Sequence, residues 1–159
     1  MLEFIFNSCK NKPVELKKSG KKMQIDSIAK TDVRSYTFIV SAKDWQTVNN
    51  TDRFVDINVP TITKTILNKG CVTIYLIQED KYLALPFNYY QIRKIISFQP
   101  SYEPGHAYIN IYGNFVLNVN THYKFKLLVV SPQELLKNKN LDWQNYCAVK
   151  KALAIEDER

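Results

Sequence analysis

The chain has 159 residues, of which 45% are hydrophobic, four are glycine and six are proline, a composition typical of a globular domain rather than a disordered or collagen-like chain. The formal net charge is +7, but residues 1–30 hold seven lysines against three acidic residues, so residues 31–159 carry only +3. No stretch approaches the roughly 20 apolar residues of a membrane-spanning helix, and the small charge on residues 31–159 disfavours nucleic-acid binding, which needs basic residues clustered on an ordered face.

Residues 1–30 are predicted to be a basic leader or tether. The opening "MLEFIF" is too short for a secretory signal and carries Glu3,. The next residues, "FNSCK", resemble the end of a bacterial lipoprotein signal, so Cys9 is the candidate lipid-attachment residue; this interpretation expects the true start to lie upstream. The alternative is an ordinary first strand with an incidental cysteine. The lysines are read as a solvated tether, or alternatively as attracted to anionic lipid headgroups.

Residues 31–131 are predicted to form an antiparallel β-sandwich. Period-two alternation in "SYTFIVSA" and "RFVDINVP" marks half-buried strands, and more strands are expected at "CVTIYLIQ", "YLALPF", "KIISFQP" and "HAYINIYG",. The stretch "HYKFKLLVVS" alternates and then becomes continuously apolar, as a central strand does. Seven or eight short strands without alternating helices indicate a sandwich or barrel, and the length suits a sandwich.

A short helix is predicted to interrupt the strands at "TITKTILNKG". The spacing of its isoleucine and leucine residues gives one apolar face. Thr61 is the expected N-cap, and Gly70 is expected to end the helix in a left-handed conformation.

Residues 132–159 are predicted to be a C-terminal helical extension. Ser131 and Glu134 have the spacing of a capping box,. Asp142 is the expected cap of a second, amphipathic helix, whose apolar face packs on the sandwich or on a partner. That face consists of Tyr146, Val149 and Leu153.

The sequence contains no familiar catalytic, phosphate-binding or metal-binding motif,. His106 and His122 open separate predicted strands, and no tight spacing joins them to Glu103 as metal ligands. We therefore expect no catalytic residue, no metal and no cofactor. The alternative is a small enzyme whose site is assembled around His106, with Glu103 and Tyr102 as its other candidates.

Aromatic residues are the one compositional excess, at 13% of the chain. The stretches "FNYYQIRK" and "PSYEPGHAY" place five candidate binding residues in loops or at strand ends: Tyr89, Tyr90, Arg93, Tyr102 and His106. Tyrosine offers rigid contact area with a polar tip, which suits protein or sugar recognition. The alternative is that these tyrosines serve cross-strand packing.

Two stretches, "VPTITKTILNKGCVTIYLIQEDKYLALPF" and "YKFKLLVVSPQELLKNKNLDWQNYCAVKKALAIED", carry a resemblance that covers roughly residues 36–157. They resemble uncharacterised small secreted or lipid-anchored proteins of Bacteroidetes-type bacteria. The resemblance implies an extracytoplasmic β-sandwich. We therefore expect a non-catalytic module, secreted or tethered to the membrane through its N-terminus, that binds a protein or glycan of the cell envelope. The alternatives are the small enzyme around His106 and a basic nucleic-acid-binding domain.

Overall fold

The computed structural model of the protein describes residues 25–28 and 32–156. Cys9 and most of the predicted leader therefore lie outside the described residues. Ten strands follow one another along the chain: β1 (Ile25–Ile28), β2 (Val33–Val40), β3 (Gln46–Thr47), β4 (Asp52–Asn58), β5 (Cys71–Gln78), β6 (Lys81–Ala84), β7 (Phe87–Gln91), β8 (Lys94–Glu103), β9 (His106–Gly113) and β10 (Tyr123–Val130). Three short helices complete the fold: α1 (Lys64–Lys69), α2 (Pro132–Lys137) and α3 (Tyr146–Ala152).

The strands form two antiparallel five-stranded sheets that pack face to face, which confirms the predicted mainly β class with short helices. The first sheet has the order β1-β2-β10-β5-β6, and the second has the order β3-β4-β9-β8-β7. The sheet includes residues 25–28, a segment assigned to the leader from sequence, because β1 pairs with β2.

The central position of β10 is confirmed. It pairs with β2 on one side and β5 on the other, and its last six residues are all buried. Phe125, Leu127 and Val129 enter the main core between the sheets. Leu128 and Val130 point to the opposite face, where a second core lies. Coverage of both faces explains the continuous apolar run from Leu127 to Val130. Lys126 is buried as well, and its ammonium donates to the Thr37 hydroxyl at 3.1 Å.

The C-terminal extension packs on the first sheet, as its apolar face predicts. Tyr146, Val149 and Leu153 are buried together with Tyr75 of β5 in the second core. The ring of Tyr146 stacks on that of Tyr82 of β6, with 3.9 Å between centroids. Helix α3 is therefore part of the folded domain.

The helix ends differ from the predicted ones. The N-cap of α1 is Thr63, whose hydroxyl accepts from the Ile66 amide, and not Thr61. Gly70 ends α1 at φ −100°, outside the left-handed region. A side chain there would meet the Val130 carbonyl oxygen inside contact distance, so close approach of β10 requires this glycine. Tertiary packing thus sets the end of α1.

The two C-terminal helices also depart from their expected caps. The Ser131 hydroxyl caps α2 as predicted, accepting from the Glu134 amide at 3.2 Å. The Glu134 carboxylate completes no capping box; it accepts from Lys137 and Asn138, each at 3.1 Å. Helix α3 is capped by Asn145 instead of Asp142.

Several turns meet at one end of the sandwich, which we call the loop end: residues 48–51, 79–80, 92–93 and 114–122. Strand β8 starts at this end, and β9, β5 and β2 finish there. The turn at 104–105 lies at the opposite end, where the Gly105 amide donates to Ile62. Among the described residues, no helix has the length and apolarity needed to cross a bilayer.

Candidate binding site

A pocket of about 430 Å³ opens between the two sheets at the loop end. We call it the end pocket. Its walls come from β5, β7, β8 and the residues that enter β10: Leu76, Ile77, Gln78, Glu79, Phe87, Tyr89, Gln91, Ile96, Phe98, Thr121, His122 and Tyr123. A volume of this size lies within the range of small-molecule sites.

The floor of the end pocket is apolar and aromatic. Leu76 and Phe98 are buried members of the main core, and Phe87, Ile96 and Tyr123 pack against it. The rings of Phe98 and Tyr123 meet edge to face, with centroids 5.2 Å apart,. The end pocket is therefore the open end of the main core, and the close packing of the core residues beneath it keeps its floor in place.

The rim of the end pocket is polar. Gln78 and Gln91 offer amides, Thr121 a hydroxyl and His122 an imidazole, and all four residues are exposed. Burial raises the pKa of Tyr123, and a smaller opposing effect comes from its hydrogen bond with Thr121. The Tyr123 phenol therefore stays neutral and can donate a hydrogen bond. An apolar floor with a few convergent polar groups is the usual form of a ligand site.

The structure divides the predicted pair Tyr89 and Tyr90. Both lie in strand β7 and not in a loop, and successive strand residues point to opposite faces. Tyr89 lines the end pocket, whereas Tyr90 pairs with Ile95 on the outer face of the second sheet. Arg93 occupies the neighbouring turn at φ 60°. Of the five predicted residues, only Tyr89 belongs to the pocket.

Tyr102 and His106 lie at the opposite end of the sandwich from the other three. Strand β8 has 10 residues, so about 30 Å separate its two ends. Tyr102 is half-buried against the main core, and burial raises the pKa of its phenol. This position is the one that the alternative of cross-strand packing describes.

His106 faces outward from the second sheet, where its partner is Asp56 of β4. His106 Nδ1 and Asp56 Oδ1 are 2.7 Å apart. Glu103 instead accepts a hydrogen bond from the neighbouring Tyr108 hydroxyl, and burial and this bond raise the pKa of Tyr108. Glu103 is the cross-strand neighbour of His106, and the Tyr108 ring stacks on the His106 ring, so these side chains lie together on the outer face of the second sheet. Tyr102 does not join them, because it packs against the main core on the other face of the sheet.

The two histidines do not share a site either. His122 lies in the end pocket and His106 at the other end of the sandwich. Within residues 25–28 and 32–156, no three histidine, cysteine or acidic side chains converge as metal ligands. Cys71 and Cys147 are free thiols, and burial raises the pKa of Cys71, which disfavours the reactive thiolate.

Sequence reasoning found one pocket residue and missed the others. Gln78, Gln91, Thr121 and His122 come from three separate stretches of the chain, and nothing in their spacing shows that they meet. The usable signals were local ones. The polar turn after "TIYLIQ" and the histidine before "YKFKLLVV" both mark the same open end of the sandwich.

Comparison with known proteins gives no match to a family model, to a curated protein or to a solved structure. The functional argument therefore rests on the geometry of the site.

Proposed function

We propose that the protein is a non-catalytic binding module whose end pocket holds a saccharide unit of a cell-envelope glycan. One observation carries this proposal: the pocket joins an aromatic and aliphatic floor to a rim of amide, hydroxyl and imidazole groups. A sugar ring presents an apolar C–H face and a girdle of hydroxyl groups. Its apolar face fits the floor, and its hydroxyls match the donors and acceptors of the rim.

The side chains of the rim favour a neutral polyol over a charged ligand. Glu79 brings a carboxylate and His122 an imidazole, while Gln78, Gln91 and Thr121 are neutral. A side-chain amide both donates and accepts hydrogen bonds, so it can donate to the oxygen of a sugar hydroxyl or accept from its hydrogen. Tyr89 at the mouth provides an exposed ring against which a sugar can stack,.

The cellular address in this proposal comes from sequence alone. The Ser-Cys pair at Cys9 and the resemblance to secreted or lipid-anchored proteins favour an extracytoplasmic module, tethered or free. Metabolic labelling with a fatty-acid analogue tests this on the native locus, with Cys9→Ala as the control. Labelling that disappears in the variant supports a lipid tether. An unlabelled, cytosolic native protein contradicts the proposed address.

Saccharide binding can be tested by titrating the full chain with a panel of monosaccharides and disaccharides and following amide chemical shifts by NMR. Shifts are expected at Gln78, Gln91 and His122. Tyr89→Ala should weaken binding by about tenfold or more, since it removes a ring contact worth about 1–2 kcal/mol. The matched control is Tyr90→Ala, which removes the same side chain from the same strand but on the opposite face.

Equal losses in Tyr89→Ala and Tyr90→Ala would place the ligand outside the pocket. Saturable shifts on the outer face around Tyr108 would likewise contradict the end pocket as the site. If no sugar in the panel shifts any pocket residue, the saccharide assignment is wrong.

A further inference from the structure

Exposed apolar side chains are concentrated at the loop end. Among the described residues, nine large apolar or aromatic side chains are exposed, and eight of these lie there: Ile39, Val48, Tyr89, Tyr90, Ile92, Ile95, Tyr112 and Val116. Ile92, at the apex of the β7–β8 hairpin, is 93% exposed, and Val116 and Tyr90 are each 68% exposed. Side chains scattered singly need no explanation, but a concentration of this kind marks an interaction surface.

Five of the seven that lie outside the pocket belong to the β7–β8 hairpin, the end of β9 and the loop after it, and we call these five the apolar tip: Tyr90, Ile92, Ile95, Tyr112 and Val116. Tyr90 and Ile95 are cross-strand partners on the outer face of the second sheet. The loop at 114–116 lies beside the hairpin, because the Lys94 ammonium sits 4.9 Å from the centre of the Phe115 ring. The residues of the tip therefore come from the β7–β8 hairpin, the end of β9 and the loop that follows β9, and a shallow depression lined by Tyr90, Gln91, Ile92 and Lys94 lies among them.

The hairpin apex is held in place by Asn114. The Ile95 amide donates to Asn114 Oδ1 at 2.9 Å, and Asn114 Nδ2 donates to the Arg93 carbonyl at 3.1 Å. The Asn114 amide also donates to the Ile95 carbonyl at 3.3 Å. These bonds fix the turn with Ile92 pointing away from the protein. Ile92 is therefore exposed in an ordered turn.

Positive charge accompanies the apolar tip. Arg93 and Lys94 directly follow Ile92. Apolar side chains next to cations are the combination that binds an anionic lipid interface.

We infer that the protein docks its apolar tip on an anionic lipid surface. Ile92 and Val116 enter the interface, Tyr90 lies at the level of the headgroups, and Arg93 and Lys94 contact lipid phosphates. Ile92 at the hairpin apex is 93% exposed beside Arg93 and Lys94, and a fluid anionic lipid interface accepts such a side chain without a pocket shaped for it. The docking surface lies on the outer face and apex of the second sheet, so it does not depend on what fills the end pocket.

Vesicle sedimentation tests the inference with the full chain. Binding is measured to phosphatidylcholine vesicles with and without phosphatidylglycerol. Ile92→Ser combined with Val116→Ser should lower partition into anionic vesicles by about tenfold or more, given the usual value of a buried aliphatic side chain. The matched control is Leu136→Ser, which changes a side chain of α2 that is 73% exposed, and it should bind as the native chain does.

The charge contribution is tested separately by Arg93→Asn combined with Lys94→Ser. Asparagine tolerates the positive φ of position 93,, so the turn is kept while the cations are removed. This variant should lose part of the preference for phosphatidylglycerol. Because Tyr89 lies outside the apolar tip, Tyr89→Ala should leave vesicle binding unchanged. Failure of the lipid inference is therefore distinguishable from failure of the saccharide proposal.

A reporter variant checks insertion directly. The emission of Ile92→Trp should shift to the blue on anionic vesicles and be quenched by brominated lipid, while Leu136→Trp should change little. Native-like vesicle binding by the Ile92→Ser and Val116→Ser variant would show that the lysine-rich segment alone binds lipid, and it would overturn the inference. So would the absence of vesicle binding, or a concentration-dependent dimer in light scattering that Ile92→Ser abolishes.

Discussion

The substitution Tyr146→Ala tests how much the packing of helix α3 on the first sheet contributes to the free energy of unfolding. Tyr146 is 4% exposed. Its ring stacks on Tyr82 at 3.9 Å and meets Tyr75 edge to face at 5.0 Å. Truncating a buried aromatic side chain to alanine costs about 3–5 kcal/mol, cavity included, and aromatic pairs contribute about 0.5–1.5 kcal/mol each. We expect the free energy of unfolding to fall by about 5 kcal/mol.

The loss is measured by urea unfolding, followed by circular dichroism and by tryptophan fluorescence. For a chain of 159 residues, it corresponds to a fall in Tm of about 10–20 °C. Tyr146→Phe keeps the ring and should retain most of the stability. Leu136→Ala, on the exposed side of α2, should change it by less than about 0.5 kcal/mol.

Two results would refute this reasoning. A loss below about 1 kcal/mol in Tyr146→Ala would mean that α3 contributes little to the stability of the domain. Separate transitions in the native chain, with Trp143 beside α3 responding before Trp45 in the main core, would mean that the second core unfolds independently.

Two further predictions concern the buried phenol of Tyr75 and the close approach of β10 to Gly70. Burial raises the pKa of Tyr75 from 10.0 to about 12, so this neutral phenol stabilises the fold below pH 10 and the contribution is lost as the pH rises towards 12. In urea unfolding, the free energy of unfolding of Tyr75→Phe should fall less between neutral and alkaline pH than that of the native chain. At neutral pH the variant should be less stable by about 1 kcal/mol, because it lacks the hydrogen bond from the Tyr75 hydroxyl to the Trp143 carbonyl,. Equal alkaline losses in the two proteins would contradict the assignment. Gly70→Ala should cost about 1–3 kcal/mol in thermal unfolding, because its methyl group would press on the Val130 carbonyl,. Gly105→Ala, with open space around it and φ 84°, should cost only about 1–2 kcal/mol from backbone strain, and a stabilised Gly70→Ala would show that the close approach is not real.

The proposed saccharide and lipid contacts involve neighbouring residues with different roles. Tyr89 and Gln91 face the end pocket, whereas Tyr90 and Ile92 belong to the apolar tip. The alternation of strand β7 produces this separation, since adjacent side chains leave opposite faces of the strand. Substitutions at the adjacent residues Tyr89 and Tyr90 therefore test the two proposed contacts separately.

The sequence by itself determined the strands, the layer class and the apolar face of the last helix. Alternation of period two depends only on which residues must leave water, so it identified β2, β4 and β9 and the buried row Tyr146, Val149 and Leu153,. The doubly buried β10 was also readable from its continuous apolar run, Leu127–Val130, although the buried Lys126 was not,.

Only the tertiary structure decided the helix caps, the residues of the end pocket and the positions of the aromatic side chains. Gly70 is required by β10, which lies 60 residues further along the chain at Val130, and local capping rules cannot include such a neighbour. Tyr89, Tyr90 and Tyr102 are alike in sequence, yet one lines a pocket, one projects outward and one packs in the core. Pairing of distant strands fixes which face each residue occupies and which end of the sandwich it reaches, and no single stretch of sequence contains that pairing.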